Sequence, residues 1–244
     1  MFKLKEQLRF IFILYFILSP FLSHAASLGD PFDGPDLKNP NWKWQSEPKK
    51  WDVGKTTKGW LHIVPELNQN LWSSDTSIRL YQETSDDFDV ETHVVMDYKT
   101  GCIVSGLVAK GPKEDNWTTL KFWGRAGDAI LQWQHRQQEI VANVPGSSQP
   151  AGRVEVFLRM VRKGDTYEGY WKKAEKDSWT KITPDANRKF TMPLELGIYA
   201  GICTGAGEAT VEYEYFNDLI NPFTAVSPAV KLAATWGSIK CALD

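Results

Sequence analysis

The chain has 244 residues, of which 42% are hydrophobic and 13% aromatic, and it carries 28 Lys plus Arg against 30 Asp plus Glu for a net charge of −2. That length suits a single all-β domain with a sizeable core, and the slightly acidic balance gives a nucleic-acid partner no electrostatic support. Three cysteines and four histidines, none at metal-ligand spacing, argue against a zinc-type site.

Lys3, Lys5 and Arg9 precede the apolar run from Phe10 to Leu18, and Pro20 and Ser23-His24-Ala25 follow it. These are the three regions of a secretory signal, and the run is shorter than the ~20 apolar residues a spanning helix needs. Residues 1–25 are therefore expected to be removed, with no membrane attachment left afterwards. The product would be secreted, either extracellular or periplasmic, with 25 basic and 29 acidic residues and a net charge of −4. Residues 30–44, rich in Pro, Gly and Asp, read as an extended lead-in, with Trp42, Trp44, Trp51, Trp60 and Trp72 packing around it.

Ten strand candidates follow: Trp60–Val64, Ser77–Gln82, Phe88–Asp97, Cys102–Ala109, Trp117–Arg125, Ala129–Arg136, Val154–Val161, Thr166–Lys172, Leu194–Ile202 and Thr210–Phe216. The period-two pattern is clear in FDVETHVVM, where Phe88, Val90, Thr92, Val94 and Met96 oppose Glu91, His93 and Asp97. In VEVFLRM, Val154, Val156, Leu158 and Met160 oppose Glu155, Phe157 and Arg159. Such ribbons belong to antiparallel sheets with one solvated face. No sustained helical periodicity appears, so the pattern predicts an all-β sandwich or barrel. Residues 26–219 form one domain, and residues 220–244 form a tail that packs on it through Trp236. Cys102 and Cys203 sit at the ends of two apolar strands; they pair if those strands are neighbours, or else remain buried thiols. Cys241 lies in the tail.

The segments FDGPDLKNPNWKW, LYQETSDDFDVETHVVM, GLVAKGPKEDNWTTLKFW, VEVFLRMVRKGDTYEGYW, LELGIYAGI and VEYEYFNDL resemble the concanavalin A-like lectin/glucanase superfamily in its LamG-like jelly-roll branch. The similarity spans roughly residues 30–219. It is nearest to the domains appended to bacterial β-xylosidases and to a secreted group named after a yeast regulator of enolase. The resemblance implies a two-sheet antiparallel jelly-roll sandwich and a carbohydrate partner, without implying catalysis.

Glucanases of that superfamily alternate carboxylates on one strand so that two of them enter one cleft. The nearest acidic run, Asp86, Asp87, Asp89 and Glu91, lacks that order and reads as solvent-facing charge. The aromatic and polar residues opposite the core-facing positions are the better resource, because sugar rings stack on flat side chains while amides, guanidinium groups and carboxylates fix hydroxyls. If Leu120, Phe122, Leu131, Trp133, Tyr167 and Trp171 face inward, then Trp123, Gln132, Gln134, Arg159, Glu168 and Tyr170 face outward and form one candidate ligand-binding hollow. The reading is a secreted, non-catalytic carbohydrate-binding domain. Its rivals are a glycoside hydrolase or polysaccharide lyase using a carboxylate pair such as Glu155 and Glu168, and a structural or protein-interaction jelly roll. A structural Ca²⁺ site, of the kind that ties the termini of jelly rolls, has Asp30, Asp33 and Asp218 as candidate ligands if first and last strands meet.

Overall fold

A computed structural model describes residues 27–223 except 73–74, 100, 113–115, 137, 142 and 205–206. The expected signal segment, Trp236, Cys241 and nearly all of the expected tail lie outside the described residues. Fifteen strands follow in chain order: β1 Lys43–Gln45, β2 Trp51–Val53, β3 Leu61–Ile63, β4 Ile78–Thr84, β5 Phe88–Tyr98, β6 Cys102–Lys110, β7 Trp117–Gly124, β8 Asp128–His135, β9 Gln138–Val141, β10 Gln149–Pro150, β11 Arg153–Lys163, β12 Thr166–Lys172, β13 Thr180–Asn187, β14 Leu194–Thr204 and β15 Ala209–Asp218. They form two antiparallel sheets packed as a jelly-roll sandwich, with no helix among the described residues. Sheet I runs β1-β4-β14-β6-β7-β8-β10 with β9 also on β8, and sheet II runs β13-β12-β11-β5-β15-β3-β2.

All ten expected strands are present. The five missed ones are short, or, in the case of β13, interrupted by Pro184, which has no N–H to donate. β13 is an edge strand whose register shifts beside Pro184, one of the few places a sheet accepts proline.

The core is the layer between the sheets. Val90, Val94 and Met96 of β5 and Val156, Leu158 and Met160 of β11 meet Leu107, Leu120, Phe122, Leu131, Trp133 and Ile198 from sheet I. The last two strands close the sandwich, since β14 inserts between β4 and β6 while β15 inserts between β5 and β3. Tyr213 of β15 then reaches across the core. Its hydroxyl donates to the Tyr199 carbonyl (2.8 Å) and accepts the Gly106 N–H (3.0 Å). A Cβ at Gly106 would collide with the Leu120 carbonyl, so the close approach needs glycine.

Cys102 and Cys203 are joined in a disulfide between the adjacent strands β6 and β14, with Cα atoms 5.2 Å apart and a sequence separation of 101. This is the pairing left open by the sequence, and it follows from β14 entering beside β6.

At the lead-in, Asp30 exchanges both backbone hydrogen bonds with Phe216, at 2.7 and 2.8 Å. Its carboxylate accepts the N–H groups of Phe32, Lys38 and Asn39 and the Trp42 indole N–H, at 2.8–3.1 Å. Trp42 packs edge-on against Phe216 (5.3 Å), and Trp44 lies against Trp51 (5.1 Å), as expected of a lead-in held by indoles. Trp60 and Trp72 depart from that expectation: the first stands beside His93 on the outside of sheet II, and the second is 43% exposed on the outside of sheet I.

Two stability outcomes follow. Replacing Cys102 and Cys203 together by Ser removes the constraint on a loop of about 100 residues and should cost about 2–5 kcal/mol, read as a lower denaturant midpoint. Tyr213→Phe strands a buried N–H and a buried carbonyl and should cost about 1–3 kcal/mol with strand content by circular dichroism unchanged.

Candidate functional site

The period-two reading assigns the faces correctly. Leu120, Phe122, Leu131, Trp133, Tyr167 and Trp171 all lie in the core, and the six candidate residues point away from it. The structure divides those six between two sheets. Trp123 is on β7 and Gln132 and Gln134 are on β8, in sheet I, whereas Arg159 is on β11 and Glu168 and Tyr170 are on β12, in sheet II. The expected single hollow is therefore two surfaces on opposite sides of the sandwich, because the chain crosses from one layer to the other between β8 and β11.

The sheet II group is occupied with itself. Arg159 makes a bidentate ion pair with Asp89 (2.7 and 2.6 Å) and lies over the Tyr170 ring at 5.3 Å. The Tyr170 hydroxyl donates to Glu168 (2.8 Å), and Lys181 reaches the other Glu168 oxygen (2.9 Å). The Lys181 ammonium, followed by the Tyr170 hydroxyl, holds the Glu168 carboxyl below its ordinary value, and the hydrogen bonds that Arg159 donates to Asp89 raise Arg159. In such a lattice of partly exposed charges the side chains engage one another, and each pair contributes little net stability.

Of the sheet I group, Trp123 and Gln132 line a cleft, whereas Gln134 is buried outside its lining. The registers of this sheet set Arg79, Tyr199, Gly106, Lys121 and Gln132 in one row across β4, β14, β6, β7 and β8, with Tyr81, Gly197, Val108, Thr119 and Gln134 in the next. Small residues in the middle of each row leave a trough. The connection from β3 to β4 crosses this face: Leu67 forms a parallel bridge with Ile202, Gln69 donates to the Ile202 carbonyl (3.2 Å), and the Gln69 carbonyl rests on Gly201 where a Cβ would clash. Leu71 from that connection joins Val104, Val108, Trp117 and Tyr199 in a second apolar cluster. Gln132 and Gln134, expected in water, are consequently buried. Beside Leu71 a cleft of about 310 Å³ remains, with Trp72 and Trp123 at its sides, the disulfide and Val104 below, and Asn70, Lys121 and Gln132 as its polar groups.

This face holds several buried polar atoms without a protein hydrogen bond: Asn70 Oδ1, Trp117 Nε1, Thr119 Oγ1, Gln134 Nε2 and the Tyr199 hydroxyl. Burial pushes the Tyr199 phenol far up, and the nearby Thr119 hydroxyl counters part of that shift without a well-formed hydrogen bond. Groups of this kind are rare in native proteins and call for an occupant such as water or ligand hydroxyls. Gln134 Oε1 accepts from Lys121 Nζ at 2.6 Å, and the Trp123 indole N–H faces Cys102 Sγ at 3.0 Å. The rim is charged. Arg79, 1% exposed, holds Asp75 in two hydrogen bonds (2.9 and 3.1 Å) and Glu195 in one (2.5 Å), with Lys110 3.5 Å from Asp75.

The Glu155 and Glu168 carboxylates do not form a catalytic pair. Glu168 stands opposite Val161 on β11, six residues along that strand from Glu155, or about 20 Å at ~3.3 Å per residue. A hydrolytic pair needs separations of about 5–10 Å.

The proposed calcium ligands also diverge. Asp30 and Asp218 do approach as the termini meet, but N–H groups fill their oxygens: four on Asp30, and those of Leu28, Ile220 and Asn221 on Asp218. Asp33 is exposed and pairs with Lys38. Among the described residues no group of three or more His, Cys, Asp or Glu could hold a metal ion.

A second cleft, of about 690 Å³, opens on sheet II around Trp60, His93, Phe157, Glu155 and Glu214. Sequence reasoning missed it, although an aromatic residue and a histidine on the polar side of two strands, Phe157 and His93, were its signal.

No family model matches the chain, and no curated protein matches it by sequence. Solved structures do. A functionally unknown protein from Saccharomyces cerevisiae aligns with a TM-score of 0.60 and 15% identity, over 74% of this chain and 98% of that one. A xylan β-1,4-xylosidase from Bacillus halodurans aligns with a TM-score of 0.59 and 17% identity, over 79% of this chain and 39% of its own. The Bacteroides ovatus protein described as xyloglucan PUL GH43B gives 0.57 and 16%, over 84% and 42%. The chain thus spans about two fifths of those two larger proteins, and the likeness shows the sandwich fold they share.

Burial alone would push Asp75 up, but the hydrogen bonds and charge of Arg79, with Lys110, hold it below its ordinary value. A lowered carboxyl contributes stability that is present above about pH 4, its unfolded range, and is lost as pH falls through its folded value. Asp75→Asn should therefore show a smaller drop in denaturant midpoint between pH 7 and pH 3 than the unaltered protein.

Proposed function

We propose that this chain is an exported, non-catalytic polysaccharide-binding sandwich whose ligand seats in the sheet I cleft. The observation that carries this reading is the cleft itself, in which Trp72 and Trp123 flank a floor of Val104 and the disulfide, with Lys121, Gln132 and the Asn70 amide, whose Oδ1 is buried without a protein hydrogen bond, as its polar groups. Indoles supply stacking surfaces for sugar rings, and the amides of Asn70 and Gln132 with the Lys121 ammonium match what sugar hydroxyls offer. The described lining side chains suit binding, and they contain no carboxylate pair for glycosidic hydrolysis. Export rests on the N-terminal signal pattern, and the Cys102–Cys203 disulfide fits an oxidising compartment.

Because the solved relatives include a xylan xylosidase and a protein described by a xyloglucan PUL, xylan and xyloglucan oligosaccharides are the first ligands to test. Calorimetry should detect binding of one or both, with no release of reducing ends on prolonged incubation. Trp72→Ala and Trp123→Ala should each weaken binding by about three- to tenfold, the range of one aromatic contact. A stoichiometry and affinity unchanged by both substitutions together, or new reducing ends that accumulate, would overturn this reading.

A further inference from the structure

We infer that the sheet II cleft is a second saccharide site, so that one chain bridges two polysaccharide strands; this rests on the carbohydrate-binding reading above. The key group is His93, 7% exposed and held from three sides. Its Nδ1 lies 2.7 Å from Glu214 Oε2 on β15, and its Nε2 lies 2.9 Å from Glu155 Oε1 on β11. Its ring stacks on Phe157 at 4.0 Å and 5°, and Trp60 meets it edge-on at 5.1 Å. The histidine thereby fixes two carboxylates from different strands at the mouth of one cleft.

Each carboxylate spends one oxygen on His93. The other, Glu155 Oε2 and Glu214 Oε1, makes no hydrogen bond to a described residue, and the side chains are 50% and 44% exposed. Two pre-oriented acceptors of this kind suit the donor hydroxyls of a sugar ring, because charge-assisted hydrogen bonds are the stronger ones and little ordering cost remains to be met on binding. Phe157 is not the stacking surface. One of its faces is covered by His93, and Lys172 lies over the ring at 5.0 Å. Trp60, partly exposed at the cleft wall, is the indole left for a sugar. Gln149 bonds the backbone of Glu155 through both ends of its amide, at 2.8 and 3.3 Å, and fixes the opposite wall.

The two clefts open on opposite outer faces, one on β6, β7 and β14 and the other on β5, β11 and β15. Sheets pack about 10 Å apart and each carries an outer layer of side chains, so a short oligosaccharide in one cleft does not reach the other. Occupancy of both places two separate chains on one protein.

The test uses the folded protein with xylohexaose and a xyloglucan oligosaccharide in calorimetry, and the parent polysaccharides in light scattering. Expected are two ligands per chain and protein-dependent growth in scattering. Trp60→Ala, or Glu155→Gln with Glu214→Gln, should reduce the stoichiometry to one and abolish the scattering increase, leaving the remaining affinity within about twofold. Trp72→Ala combined with Trp123→Ala should remove the other site and spare this one. The Glu→Gln pair keeps the shape and the His93 contacts, so it decides the matter if Trp60→Ala fails to fold. One ligand per chain, lost with Trp72→Ala and Trp123→Ala together, would overturn the second site while leaving the carbohydrate-binding function standing. A stoichiometry of two unaffected by either set of sheet II substitutions would also overturn it, and absence of binding would reject both.

Discussion

The hydroxyl of Tyr213 ties the two layers together at the point where the chain closes. β14 and β15 are the last strands in chain order, yet each lies in the middle of a sheet, between strands from earlier in the chain. Their insertion is correct only when Tyr213, fully enclosed in the core, meets the backbone of Gly106 and Tyr199 on the far sheet. A shift of one residue would turn that phenol outward and expose every apolar neighbour on β15. The same insertion sets β14 beside β6 and so brings Cys102 to Cys203. Both clefts depend on it as well: Tyr199 and Cys203 belong to the sheet I surface, and Glu214 belongs to the sheet II surface.

The two outer faces answer burial differently. On sheet II, partly exposed charges pair among themselves, as in the Asp89–Arg159 and Glu168–Lys181 contacts. On sheet I a chain segment crosses the polar floor, and Leu71 covers it. Buried polar atoms without partners cost about 1–3 kcal/mol each, so a face with several of them is expensive unless something else meets their hydrogen-bonding needs. The Trp72–Trp123 cleft opens on that face, and Asn70 Oδ1 is the unpartnered atom in its lining. The His93 assembly is an intermediate case, with a fully bonded centre and two half-engaged carboxylates open to solvent.

The sandwich class and the facing of each long strand were legible in the sequence, because side-chain direction in a strand alternates with a fixed period of two. Trp123, Gln132 and Gln134 could thus be assigned outward from Phe122, Leu131 and Trp133, and Arg159 and Tyr170 from Leu158 and Trp171. Sheet membership was not legible. Nothing local to β8 or β11 says that the chain changes layers between them, and so the six residues seemed to share one hollow. Trp60 and Trp72 were likewise misplaced, since an indole in a short or irregular segment has no periodic frame to orient it. The metal candidates failed on a finer point: Asp30 and Asp218 do converge, but backbone N–H groups reach their oxygens first.

The amino-acid order by itself determined which side of each ribbon is apolar, because that choice depends only on neighbours two residues apart. The tertiary structure alone decided which ribbons are neighbours, which outward residues become covered, and where two clefts open. Those outcomes depend on contacts between residues as distant as Cys102 and Cys203 or His93 and Glu214, and such pairings are chosen by the closing of the whole sandwich.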